Sequence, residues 1–266
     1  MEYDPIKKKI RDLIRNHPWI RKLLFSGLDL ILLRSWYIKR RLRQLPFHKM
    51  SGISILDAGS GFGQYAYLFA RKFPQAKVLG LDIETEHVED AQVFAEKLHL
   101  ERLEFKVADL TKIAYKLEFD LILTVDVMEH IEQDEELLRR FYNALKRNGH
   151  LVISTPSIYR RHCDDSDFVD EHFRDGYGHE EMLDKCKQAG FRQIHIQYGY
   201  GFWGDLSWRL GIRNTLKLAA WNKFGKLMAP VYFIILLPIN LIFMILDYIS
   251  PKSKGTGMVV HAVKVS

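Results

Sequence analysis

The chain has 266 residues, 47% apolar and 27% charged, with a formal net charge of +6. That suits one domain with an elaboration, or one domain and a small second one, with ample material for a core. Two cysteines, Cys163 and Cys186, exclude a disulfide framework or a cysteine metal site and favour a reducing, cytoplasmic compartment. The first eighteen residues, basic and broken by Asp4, Asp12 and Pro18, lack a secretory pattern.

The charge is uneven. Residues 1–49 hold thirteen Lys and Arg against four acids, while the remainder holds twenty-six against twenty-nine. Ile6–Leu45 reads as helix broken near His17-Pro18, with Ile20, Leu23, Leu24, Leu28, Ile31 and Leu32 at helical spacing. Residues 1–50 are therefore expected to form a basic amphipathic extension. Such an extension suits a membrane surface, a lid over a ligand site, or both. Apolar runs such as Leu28–Leu33 argue against nucleic acid as its partner.

From residue 51 strand and helix alternate: strand Ile53–Asp57, helix 64–73, strand 77–81, helix 85–99, strand 103–107, strand 119–125, helix 133–147, strand 149–155 and helix 179–189. That order predicts an α/β fold, a doubly wound, mostly parallel sheet with helices on both faces. The first strand runs into Asp57-Ala58-Gly59-Ser60-Gly61-Phe62-Gly63. Glycines there permit positive φ and bring a ligand close to bare amides at a helix N-terminus. The second strand ends in Asp82, nineteen residues past Gly63, where an acid commonly accepts hydrogen bonds from ribose hydroxyls. The third and fourth strands are followed by Asp109 and Asp126. Ligands of open α/β sheets bind outside these strand ends.

These residues resemble the class I S-adenosylmethionine-dependent methyltransferases. The first motif stands as LDAGSGFG, the ribose acid as Asp82, the adenine-contacting acid as Asp109, and the fourth motif as FDLILTVDVMEHI. The resemblance covers 51–201 and 257–266 and implies a seven-stranded Rossmann-like sheet. It pairs the strand-like Phe191–Tyr200 antiparallel with Met258–Val265. S-adenosylmethionine is the implied cofactor, with Gly59, Gly61 and Gly63 at its methionine end, Asp82 on its ribose and Asp109 on its adenine amine. Asp57, Ala58, Ile83 and Leu110 flank these positions as further contacts, and Asp126 lies in the loop under the sulfonium. The Gly-x-Gly-x-Gly spacing departs from the dinucleotide Gly-x-Gly-x-x-Gly.

Methyl transfer needs alignment and exclusion of water, plus a base when the acceptor is a hydroxyl. Asp126-Val127-Met128-Glu129-His130 resembles the Glu-x-x-Glu-His site of some metal-assisted O-methyltransferases, including the ubiquinone-pathway group. Asp replaces the first Glu and no fourth ligand aligns, so no metal is assigned. Glu129 and His130 are expected at the rim of the site as catalytic candidates. The acidic stretch Asp164–Glu181 is expected to add His172, and Arg174 as an anion-binding lid residue.

About fifty-five residues, 202–256, separate the last two strands, too many for a structureless loop. Leu206–Asn222 has an interfacial composition, basic and rich in Trp and Leu. Ala229–Ile249 carries one charge, Asp247, in twenty-one residues. If both flanking strands share one sheet, a single membrane crossing is forbidden. The expected form is monotopic: an interfacial helix plus a shallow, apolar hairpin bent at Pro230, Pro238 and Asn240. Trp203, Trp208 and Trp221 are expected to anchor it at the interface. The expected partners are a membrane surface and a lipid-like or small-molecule acceptor. The alternative is a soluble methyltransferase of a small molecule or glycan with the insert as a homodimer interface.

Overall fold

A computed structural model describes residues 17–49, 52–159 and 173–265. Two helices, α1 (Pro18–Ile31) and α2 (Leu33–Gln44), precede β1 (Ser54–Ala58), α3 (Gln64–Lys72), β2 (Lys77–Asp82), α4 (Thr85–Lys97), β3 (Leu103–Val107) and β4 (Phe119–Val125). Then come α5 (Asp134–Ala144), β5 (Leu145–Pro156), α6 (His179–Gln188), β6 (Arg192–Gly199), the insert, and β7 (Gly257–Val263).

The seven strands form one sheet in the order β3-β2-β1-β4-β5-β7-β6. Strands β1 to β5 run parallel, and β7 pairs antiparallel with both β5 and β6. Alternate side chains of each strand enter opposite layers. Ile55, Leu121, Leu123 and Val152 pack with α2, α3 and α4, whereas Leu56, Ile122, Leu151 and Ile153 pack with α5 and α6. The expected seven-stranded, doubly wound α/β architecture is therefore present, with helices at the N-terminus and before the last strand.

The N-terminal helix breaks where none was expected, at Leu32, whose backbone is extended (φ −99°, ψ 105°). The two halves serve different surfaces. Phe25 of α1 joins Tyr67 and Phe94 in a small aromatic cluster, while Leu33, Tyr37, Ile38 and Leu42 of α2 enter the main core. Pro18 occupies the first turn of α1, where its missing N–H costs nothing.

The insert is a helical hairpin. Its first arm comprises α7 (Phe202–Ser207), a π-helical stretch over Trp208–Arg213, and α8 (Asn214–Trp221). Its second arm is the 27-residue α9 (Lys223–Ile249). No turn interrupts 229–249: the helix runs through Pro230 and Pro238. Both prolines lie on its exposed side, as do Lys226 and Ile234, whose carbonyls lose their usual donors. The hairpin turn is instead at Asn222, whose side chain accepts from the Gly225 N–H at 2.7 Å and caps α9.

One buried polar cluster ties the insert to the body. Asp247, 1% exposed, accepts from the Tyr37 hydroxyl at 2.7 Å and the Gly204 N–H at 3.1 Å. Lys252 lies 3.4 Å from the same carboxylate and donates to the Tyr37 hydroxyl at 2.6 Å. The outer face of α9 has no such cover. Leu227, Val231, Ile235, Ile239, Ile242, Ile245 and Ile249 follow one another at intervals of three or four residues and are all exposed.

Candidate active site

After β1 the chain turns through Gly59 (φ +79°), Gly61 (φ +49°) and Gly63 (φ +82°) into α3. All three occupy the left-handed region that favours glycine. A Cβ on Gly59 would run into the Val127 side chain and one on Gly63 into the Phe105 ring, whereas one on Gly61 would meet open space. The turn is thus walled from below and bare above. The Gly59 and Ser60 N–H groups both donate to the Leu81 carbonyl at 2.8 Å, locking the turn to the end of β2.

Parallel registry brings the acids to one edge, with Ala58 beside Leu81 and Thr124, and Asp82 beside Val107. Asp82 accepts from the Gly61 N–H at 2.6 Å and the Glu84 N–H at 3.0 Å, next to the exposed Ile83. Asp109 pairs with Lys112 at 2.8 Å and accepts from the Thr111 N–H at 2.9 Å and its hydroxyl at 2.6 Å. Those partners, Lys112 foremost, hold its carboxyl down at about 2. Leu110 beside it is buried. Asp57 is different: it and Ala58 lie beneath the turn, nearly inaccessible. The Asp57 carboxylate accepts from the Ala66 N–H at 2.8 Å, and burial pushes its pKa up to about 7. It braces the start of α3 rather than lining the crevice.

Asp126 follows β4 in the left-handed region, φ +53°, and pairs with the Arg34 guanidinium of α2. The Arg34 N–H donates to the Tyr200 hydroxyl at 3.1 Å. Ser35 and Tyr65 hydroxyls lie 3.1 Å apart, and Arg21 reaches the Phe62 carbonyl at 2.5 Å. The N-terminal helices therefore close over the glycine turn, one of the roles expected of the leader. Among the described residues, the buried Ser60 Oγ, Thr124 Oγ1 and Arg34 Nε lack hydrogen-bond partners. Unmet polar atoms on Ser60 of the turn, Thr124 near the end of β4 and Arg34 of α2 suit a polar ligand. Arg34, Tyr200, Ser60 and Thr124 were not singled out in the sequence. The one signal was a cation, Arg34, set inside an apolar run.

The rim expected after β4 is only partly there. His130 is exposed, but Glu129 is 1% exposed and accepts from the Thr155 hydroxyl at 3.0 Å. Asp126, Glu129 and His130 thus occupy different surroundings, and the described residues include no group of three or more side chains placed to hold a metal ion. Arg174 is not an anion-binding lid residue. It pairs with Glu181 at 2.8 Å and Asp134 at 3.2 Å, and its N–H donates to the Glu129 carbonyl at 3.2 Å. With Tyr177, whose hydroxyl donates to Asp134 at 2.8 Å, it fastens the segment after β5 to α5. His172 lies outside the described residues.

A family model described as a methyltransferase domain matches residues 49–202, more than half of the chain. A ubiquinone biosynthesis O-methyltransferase of Rhodopseudomonas palustris is 30% identical over 106 residues, 40% of this chain and 41% of that protein. Phosphoethanolamine N-methyltransferase 3 of Arabidopsis thaliana is 36% identical over 104 residues, 39% of this chain and 21% of that one. The chain spans about two-fifths of the length of the ubiquinone-pathway relatives it matches. Among solved structures, Haemonchus contortus phosphoethanolamine N-methyltransferase 2 in complex with S-adenosyl-L-methionine superposes with a TM-score of 0.58 at 21% identity, covering 83% of this chain and 50% of that one. With that sheet order, that glycine turn and that family match, the chain belongs to the class I S-adenosylmethionine-dependent methyltransferases.

Proposed function

We propose that this chain transfers the methyl group of S-adenosylmethionine to a lipid-like acceptor presented at a membrane surface, at a hydroxyl oxygen. The observation that carries this reading is the outer face of α9. A continuous apolar stripe stays exposed on a hairpin packed against the helices that close over the candidate site. Exposed apolar patches of such extent mark interaction surfaces. At the hairpin tip Trp221, Phe224 and Leu227 are exposed among Lys223 and Lys226, a composition suited to an anionic headgroup layer. Because β6 and β7 are neighbours in one sheet, the hairpin leaves and returns on one side, in keeping with monotopic attachment. The ubiquinone-pathway relatives are O-methyltransferases, in keeping with an oxygen acceptor, whereas the Arabidopsis and Haemonchus relatives are N-methyltransferases.

In this reading the cofactor supplies an electrophilic methyl group on a sulfonium, and the chain binds, aligns and keeps water away. The turn Gly59–Gly63 holds the methionine end against bare backbone. Arg34, here paired with Asp126, would hold the cofactor carboxylate. Asp82 takes the ribose hydroxyls; a carboxylate has about four acceptor sites, so it can serve them while keeping a backbone partner. Asp109, Ile83 and Leu110 border the adenine, and Asp126 faces the sulfonium. His130 orients the acceptor hydroxyl and takes its proton, while Glu129, held by Thr155, positions the loop that carries His130.

The test is incubation of the protein with methyl-labelled cofactor and a membrane lipid extract, followed by mass spectrometry of labelled products. A labelled hydroxyl-bearing lipid is expected. Label only in water-soluble products, from a protein that is a monodisperse dimer without detergent, would favour the soluble alternative with α9 as the dimer interface.

A further inference from the structure

Asn240 lies about two-thirds of the way along α9 and is 4% exposed, yet neither its Nδ2 nor its Oδ1 has a hydrogen-bond partner among the described residues. Burying a carboxamide in apolar surroundings without a partner is costly, and such groups call for an explanation. This one borders a cavity of about 20 Å³ whose walls include Ile31, Leu33, Tyr200, Trp208 and Leu237. About 10–15 Å³ admits one water-sized group, so the space suits a single oxygen beside the amide. Trp208, expected to be an interface anchor, is half-buried and forms one wall of this cavity.

The backbone around it departs from regular geometry in two places. Opposite Asn240 the first arm is π-helical over Trp208–Arg213, and such turns concentrate at functional sites. Within it, a Cβ on Gly211 would lie 2.6 Å from Asn240 Nδ2, so glycine is what leaves room for the amide. Tyr200, a second wall, holds φ +55°, a strained conformation for an aromatic residue. Its hydroxyl accepts from the Arg34 N–H, and Arg34 pairs with Asp126. The cavity therefore lies between the exposed hairpin and the lid of the candidate active site.

The free groups specify the occupant. Nδ2 needs an acceptor and Oδ1 a donor, which one hydroxyl supplies; an ether or carbonyl oxygen would leave Oδ1 unmet. A carboxylate or ammonium would be stripped of water against these walls. We infer that Asn240 is a recognition residue for the hydroxyl of an uncharged amphiphile whose chain enters between α9 and the N-terminal helices. The inference rests on the membrane-delivered acceptor proposed above and names its class: neutral and hydroxyl-bearing.

The experiment compares thermal midpoints of the full chain in nonionic micelles doped with 1-dodecanol or with dodecane at equal mole fraction. Dodecanol is expected to raise the wild-type midpoint by several degrees more than dodecane, because a ligand bound only by the folded state stabilises it. Asn240→Leu is expected to match or exceed the wild-type midpoint without additive and to respond equally to both additives. An equal wild-type response, the outcome if water alone fills the cavity, would overturn the inference whether or not the variant folds. A dodecanol preference that survives in Asn240→Leu would overturn it too, by placing the site elsewhere. Neither cofactor nor vesicle enters the assay, so its failure leaves the methyl-transfer reading to be judged separately.

Discussion

Replacing Asp247 with Ala isolates the joint between the insert and the methyltransferase body. The carboxylate holds the Tyr37 hydroxyl of α2, the Gly204 N–H of α7 and the Lys252 ammonium on the way back to β7. Tyr37 keeps the Asp247 carbonyl at 3.0 Å, and Lys252 keeps Ser250 and Tyr37, so neither is fully stranded. The Gly204 amide loses its partner, at about 1–3 kcal/mol. The Lys252 charge, on a side chain only 10% exposed, loses its counter-ion, and breaking a buried pair costs about 3–5 kcal/mol. With the remaining acceptors mitigating that term, the total is about 4 kcal/mol. At roughly 2–4 °C per kcal/mol for a domain of this size, the midpoint should fall by about 8–16 °C in thermal melts followed by far-UV circular dichroism at pH 7. Asp247→Asn keeps the shape and one acceptor and should lose about half as much. An Ala variant melting within about 1 °C of the wild type would show that the cluster does not hold the hairpin.

The glycines of the turn separate folding from binding. Gly59→Ala forces a Cβ into Val127 at φ +79° and should lower the midpoint markedly. Gly61→Ala faces open space and should cost only the left-handed strain of its backbone, about 1–2 kcal/mol, less than Gly59→Ala, while weakening S-adenosylmethionine at least tenfold by calorimetry. Asp57 gives a pH signature. Its folded pKa, about 7, exceeds its ordinary 3.8, so the folded state binds the extra proton and stability falls as pH rises through that window. Asn at this position should flatten that part of the midpoint-versus-pH curve between about pH 4 and 8. Ile235→Glu with Ile242→Glu, both on the exposed face of α9, should abolish flotation with anionic liposomes without lowering the midpoint; undiminished flotation would remove the membrane docking face.

The sheet and its cofactor edge were legible because they rest on local signals. Alternating apolar runs fix strands, and Gly59, Gly61 and Gly63 mark a turn that only small residues can make. What the sequence could not show is which long-range partner each side chain finds. Arg34 is one of thirteen cations in the leader, and only tertiary packing brings it to Asp126. Glu129 follows a strand end like a rim residue, yet Thr155 of the neighbouring strand draws it inside. Pro230, Pro238 and Asn240 looked like helix breakers. The two prolines lie on the uncovered side of α9, so the carbonyls they leave without donors are not buried in the protein, and Asn240 is packed against Gly211 of the other arm.

The central claim, that the strand-tip acids and the glycine turn hold the cofactor, is tested most directly by calorimetry with S-adenosylmethionine on the wild type and on Asp82→Ala. Two hydrogen bonds from hydroxyls to an ionised carboxylate contribute about 1.5–3 kcal/mol each, so binding should weaken about a hundredfold or more. Equal affinity for the two proteins, with both folded, would contradict it.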